Sequence, residues 1–167
     1  MTTKENLEEA FAGESQANRK YLFFADKAEM EGKKQIARLF RAAAASETAH
    51  ARNHLTVLKG IGNTEENLVV AFEGEKYEGD KMYPRFIKEA EEANDNEAIR
   101  TFRWAIAAEK IHEREYEKAL KAIKENKDIE PKNYHVCECC GYTIVGDEVP
   151  DVCPVCNAPK EMFKEIK

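Results

Sequence analysis

One short phrase occurs twice in this chain, and it constrains the fold more than any other feature. Glu47-x-x-His50 reads E-T-A-H, and Glu109-x-x-His112 reads E-K-I-H. A lone glutamate stands one helix length before each phrase: Glu14 lies 33 residues before Glu47, and Glu75 lies 34 before Glu109. A glutamate and a histidine three apart share one face of a helix. Two such pairs and two further glutamates make six ligands, enough to hold two metal ions between four helices. The offsets between the halves, 61 and 62 residues, mark an internal duplication.

Four long helices are predicted between residue 3 and about residue 125. The first runs from Thr3, read as its N-cap, to Glu31, where Gly32 stops it. The second spans about Lys34 to Lys59. The third begins after Thr64 and continues to about Glu92, with Pro84 inside it to be absorbed by a kink or local distortion. The fourth runs from about Asp95 to Glu125. The expected fold is mainly α: a four-helix bundle followed by a small metal domain. On each helix the candidate ligands fall on the apolar stripe, as Glu14 does with Leu7, Ala10, Ala17, Tyr21 and Phe24. An unpaired carboxylate there is costly. Several carboxylates converge with few cations among them, so metal is the expected counter-charge.

Composition narrows the class. The chain has 167 residues, 35% of them charged, and a net charge of −6, which argues against a nucleic-acid partner. No apolar run approaches the ~18 residues that span a bilayer. The N-terminus, MTTKENLEEAF, is charged and helix-like, unlike a signal peptide. All five cysteines fall between Cys137 and Cys156. Clustered cysteines without an export signal suggest metal rather than disulfides, and the expectation is a cytoplasmic protein.

Those cysteines define the second domain. A polar stretch, NKDIEPKNYH, closes the helical part, so the division is read as residues 1–130 and 131–167. The second part is too short for a core without a staple. Cys137-x-x-Cys140 and Cys153-x-x-Cys156 provide one: two knuckles twelve residues apart, the pattern of a tetrathiolate metal site. Iron and zinc both suit four thiolates in a tetrahedron. Cys139, inside the first knuckle, is out of register and is read as a non-ligand.

The duplicated halves are not identical. Glu78 stands three residues after Glu75 on the same face, where the first half has Ala17. This fifth glutamate either competes with His50 for one metal, the carboxylate favoured by Fe(III) and the imidazole by Fe(II), or hydrogen-bonds a ligand. Tyr21 and Tyr83 are each read two ways, as hydrogen-bond donors to a ligand carboxylate or as core aromatics. His54 is read as a non-ligand.

A helical region carrying Glu14, Glu47-x-x-His50, Glu75-x-x-Glu78 before Met82-Tyr83-Pro84, and Glu109-x-x-His112, followed by four knuckle cysteines with C-G-Y and C-P-x-C, resembles the rubrerythrin family over essentially the whole chain. The resemblance implies a ferritin-like di-iron four-helix bundle with a C-terminal rubredoxin-like domain. It implies two non-haem irons held by Glu14, Glu47, His50, Glu75, Glu78, Glu109 and His112, and one iron held by Cys137, Cys140, Cys153 and Cys156. The implied activity is a peroxidase that reduces hydrogen peroxide to water in oxidative-stress defence. Its electrons would come from a donor protein such as rubredoxin or its reductase. The alternative is a ferritin-like ferroxidase that handles iron. His112 lies ~20 Å along a helix from Glu125, and a linker follows. That reach suggests that the cysteine domain lies far from its own chain's di-iron site. A head-to-tail homodimer is therefore expected.

Overall fold

The structure, a computed structural model, describes residues 2–167. It contains five α-helices: α1 (Thr3–Met30), α2 (Lys34–Val57), α3 (Thr64–Tyr77), α4 (Tyr83–Glu92) and α5 (Asn96–Lys124). A π-helical segment, Glu78–Met82, joins α3 to α4. Three short strands follow: β1 (Tyr134–Cys137), β2 (Thr143–Val145) and β3 (Phe163–Ile166). The fold class read from the sequence, mainly α with a small β/loop domain, stands. Among the described residues no helix is long and apolar enough to cross a membrane.

The chain divides into two compact units, one ending at Gly62 and one running from Asn63 to Lys167. In the first, α1 packs against α2. The helix starts at a capping box: Thr2 Oγ1 accepts from the Glu5 backbone N–H, and the Glu5 carboxylate accepts from the Thr2 N–H. The cap is therefore Thr2, one residue before the Thr3 expected. Gly32, at φ 73°, turns the chain, and Lys33 N–H donates to Ala28 O across 2.8 Å. The tightest packing is between small residues: Ala25, Ala37 and Ala44 are fully or almost fully buried. Larger apolar groups stay open. Phe24, on the apolar stripe of Glu14, is 47% exposed, Ile36 is 49% exposed and Leu39 is 67% exposed.

In the second unit α3 and α4 both pack on α5. Asn63, rather than Thr64, caps α3 in a second capping box with Glu66. The helix does not break at Pro84. The preceding residues widen to the i→i+5 pattern instead, and Pro84, which has no N–H to donate, follows that wide turn directly. After α5 the strands form an antiparallel sheet in the order β2-β1-β3, with Cys137 paired to Phe163 at one end.

The two helical pairs are copies in detail. Lys33→Ala28 recurs as Asp95→Ala90 at 2.9 Å, with Asn94 at φ 56° in place of Gly32. Arg41 meets Glu29 at 2.7 Å, and Arg103 meets Glu91 at 2.9 Å. The rings of Tyr21, Phe24 and Phe40 cluster as those of Tyr83, Phe86 and Phe102 do.

Candidate metal centres

All of the sequence-predicted ligands except Glu78 assemble into three groups. In the first unit Glu14 on α1 meets Glu47 and His50 on α2. His50 Nδ1 lies 2.7 Å from Glu47 Oε2 and 3.8 Å from Glu14 Oε1. Asn18 secures the register of the pair, donating to Ala44 O at 2.7 Å and to Thr48 Oγ1 at 2.8 Å.

In the second unit Glu75 on α3 meets Glu109 and His112 on α5. His112 Nδ1 lies 3.0 Å from Glu109 Oε2 and 3.5 Å from Glu75 Oε2. In both groups Nδ1 faces the carboxylates, as an imidazole that shares a metal with them must. Burial and the hydrogen-bonded Glu109 push the Glu75 carboxyl up to about 7. Burial would raise Glu109 too, but hydrogen bonds with His112 and Glu75 outweigh it and hold its carboxyl below the usual range. The hydrogen bond to Glu109 raises His112, against burial and with help from the charge of Glu75. Without metal, two carboxylates and an imidazole here compete for protons, and a divalent cation removes that conflict.

Glu78 lies in the π segment and belongs to neither three-residue group. Its carboxyl is raised by burial and by the charge of Glu109, while His112 pulls it down. Tyr83 sits beside the same cluster. Its phenol is raised by burial and by the charges of Glu109, Glu78 and Glu75. Tyr21 packs on Phe24 and Phe40, at ring distances of 6.3 and 6.2 Å. His54 and Cys139 join no metal-type group among the described residues.

One signal in the sequence passes unused in a ligand count. Asn6-Leu-x-x-Ala-Phe-x-Gly-Glu14 recurs as Asn67-Leu-x-x-Ala-Phe-x-Gly-Glu75, at an offset of 61. From Tyr21 and Tyr83 onward the offset is 62. The second copy therefore carries one extra residue between Glu75 and Tyr83. The π segment lies inside that interval, since an inserted residue is absorbed by a single wide turn. The change of offset locates the π turn and explains why Glu78 has no twin.

The four cysteines form the third group. Cys137 Sγ lies 3.7 Å from Cys156 Sγ, and Cys140 Sγ lies 3.7 Å from Cys153 Sγ. A tetrahedral ion with metal–sulfur bonds of ~2.3 Å requires sulfurs about 3.75 Å apart, so the set fits one. The knuckles match each other: Gly141 N–H donates to Cys137 O and Asn157 N–H to Cys153 O, with Gly141 at φ 80° and Asn157 at φ 60°. Burial raises the thiols of Cys137 and Cys140. Cys153 is lowered despite burial, because the backbone N–H groups of Cys156 and Val155 donate to its sulfur.

The sheet domain meets α5 of its own chain. Thr143 Oγ1 on β2 lies 2.9 Å from His112 Nε2. The cysteine domain therefore does not lie far from its own chain's His112, contrary to what the sequence suggested. Chain length past His112 permits separation, but the linker turns back, and the module abuts the Glu75–Glu109–His112 group. A largely apolar cavity of about 290 Å³ lies at this junction, between Leu68, Tyr116, Tyr134 and Thr143.

Comparison with known proteins agrees with this inventory. The family profile "Rubrerythrin" matches residues 5–120, and "Rubrerythrin, rubredoxin-like domain" matches residues 135–164. The chain belongs to the rubrerythrin family. It is 38% identical to rubrerythrin-2 of Clostridium acetobutylicum, over 97% of this chain and 95% of that protein. It is 35% identical to nigerythrin of Nitratidesulfovibrio vulgaris, over 97% of this chain and 85% of that protein. A solved structure of fully reduced, all-ferrous nigerythrin superposes with a TM-score of 0.56 at 33% identity, covering 99% of this chain and 87% of that one. Rubrerythrins are iron-based oxidoreductases. Iron is accordingly the cofactor of the Glu/His groups and of the cysteine site.

Proposed function

We propose that this chain is a non-haem di-iron peroxidase that reduces hydrogen peroxide to water. In this reading Glu14, Glu47 and His50 and Glu75, Glu109 and His112 are the ligands for the di-iron chemistry, with Glu78 as an additional carboxylate. Residues 1–130 carry that chemistry, and residues 131–167 relay electrons. The observation that carries the reading is the pair of matching Glu/Glu/His groups joined, in one chain, to a tetrathiolate site. When bound, the irons supply one electron each to the O–O bond and take replacements through the cysteine site.

The remaining work falls to the side chains. Glu75, Glu109 and His112 exchange protons for metal charge, and their partial burial keeps water from competing for the cations. Tyr83 holds a phenolic proton beside three carboxylates, where a departing oxygen would need one. Glu78 would supply the harder carboxylate ligand for a ferric ion, where the His50 imidazole would suit a ferrous one. If oxidised and reduced crystals have identical ligands, that exchange is wrong.

We also infer a homodimer. Phe23, Met30 and Leu39 are 66%, 83% and 67% exposed on α1 and α2, large apolar groups that a second chain would cover. The head-to-tail order loses its spatial argument, because Thr143 already reaches His112 within one chain.

The direct test is peroxide consumption with reduced rubredoxin as electron donor. Turnover is expected in the iron-loaded chain, and its loss in Glu109→Ala and in Cys140→Ser. Oxygen-driven iron uptake without peroxide turnover would favour the ferroxidase instead.

A further inference from the structure

The geometry points to Thr143 as the residue that seats the rubredoxin-like domain on His112 of its own chain, sets that imidazole's tautomer, and completes the bonded route between the two kinds of iron site. The inference rests on the proposed relay between them.

The hydrogen-bond roles follow from the two faces of the imidazole. Nδ1 faces Glu109 Oε2 at 3.0 Å and Glu75 Oε2 at 3.5 Å, so it is the metal-binding nitrogen. A neutral imidazole that gives Nδ1 to a metal keeps its proton on Nε2. Nε2–H therefore donates to Thr143 Oγ1 at 2.9 Å. The hydroxyl's own proton points to Gly141 O, at 3.4 Å. Gly141 follows Cys140 directly, and its N–H donates to Cys137 O at 2.8 Å. A continuous path thus runs from the Cys140 sulfur through the Cys140–Gly141 peptide to the Gly141 carbonyl. From there it crosses the Thr143 hydroxyl to His112 and its metal-facing nitrogen.

Two further observations favour a built contact over a chance one. Thr143 is only 8% exposed, the one buried polar side chain among the described residues. Its strand is also the one that packs against α5. A valine at this position keeps the shape and the β-branched strand preference but leaves Nε2–H facing a methyl group.

Each transfer along this path moves one electron and no atoms: a ferrous ion at the cysteines becomes ferric, and a ferric ion held by His112 becomes ferrous. The test is a one-electron pulse delivered to the fully oxidised, iron-loaded full chain without peroxide. The colour of the oxidised cysteine site should bleach and then recover, in a first-order phase independent of protein concentration. Thr143→Val should slow that recovery by about tenfold or more, and Thr143→Ser should restore it. Thermal unfolding and the cysteine-site spectrum should be the same in all three proteins.

A second readout needs no iron. In the zinc-loaded full chain, the Nε2 proton of His112 should give a slowly exchanging NMR signal in the wild type and Thr143→Ser, and none in Thr143→Val. Equal recovery rates in valine variant and wild type, or a persistent Nε2 proton in the variant, would overturn the proposal. Because no peroxide is used, failure of the peroxidase reading would be seen separately, as absent turnover despite normal recovery.

Discussion

Glu75 concentrates the electrostatics of the second unit into one carboxyl. Its proton is held up to about 7 by burial and by Glu109, against 4.5 for a free glutamate. In the metal-free chain the folded state binds that proton between 4.5 and 7 and the unfolded state does not. Glu75 therefore contributes stability below 4.5 that is lost as pH rises through about 7. His112, also raised, loses its contribution in the same direction, above its ordinary 6.5. Glu109 is lowered, so its contribution is lost only as pH falls below the usual carboxylate range. Melting temperatures of the metal-free chain at pH 5 and pH 7.5 check this. The drop on going to the higher pH should shrink in Glu75→Gln. The same proton must leave when metal binds, so calorimetric titration with a divalent cation should release more protons at pH 6 than at pH 8. Equal release at both would place the proton elsewhere.

At the scale of elements, the capping boxes at Thr2 and Asn63 are local devices. Replacing Asn63 with alanine should cost about 1 kcal/mol in chemical denaturation of the metal-free chain, through the loss of one satisfied N–H at the start of α3. The π segment carries more. Deleting Gly79 should return the second copy to the length of the first and convert the wide turn to α-helix. Helical circular dichroism should persist while peroxide turnover falls about tenfold or more, because Glu78 and Tyr83 lose their register. Full activity in the deletion would separate the π turn from function.

Much of this was legible in the chain. The apolar stripes around Glu14 and Glu109 marked helices, and cysteine spacing marked the knuckles. Pro84 marked a distortion but not its kind, because proline is compatible with a kink or a wide turn. Only the change of offset from 61 to 62 distinguishes them. Thr143 was not legible at all: a threonine in a β-type run carries no mark that its hydroxyl meets a histidine 31 residues earlier.

At the scale of the molecule, the exposed apolar groups of α1 and α2 predict association. Sedimentation of the iron-loaded chain should give a dimer that persists at high salt, because burial of apolar surface rather than ion pairing would hold it. A monomer under those conditions would leave Phe23, Met30 and Leu39 unexplained. Function at this scale depends on whether two kinds of iron site act as one system. An anaerobic spectroscopic titration addresses this most directly: the fully reduced, colourless protein is mixed with hydrogen peroxide or, separately, with air. The peroxidase reading predicts that peroxide rapidly restores the red colour of the cysteine site, consuming two electrons per peroxide, and that air restores it slowly. Recolouring by air as fast as by peroxide, or none with either oxidant, would contradict it.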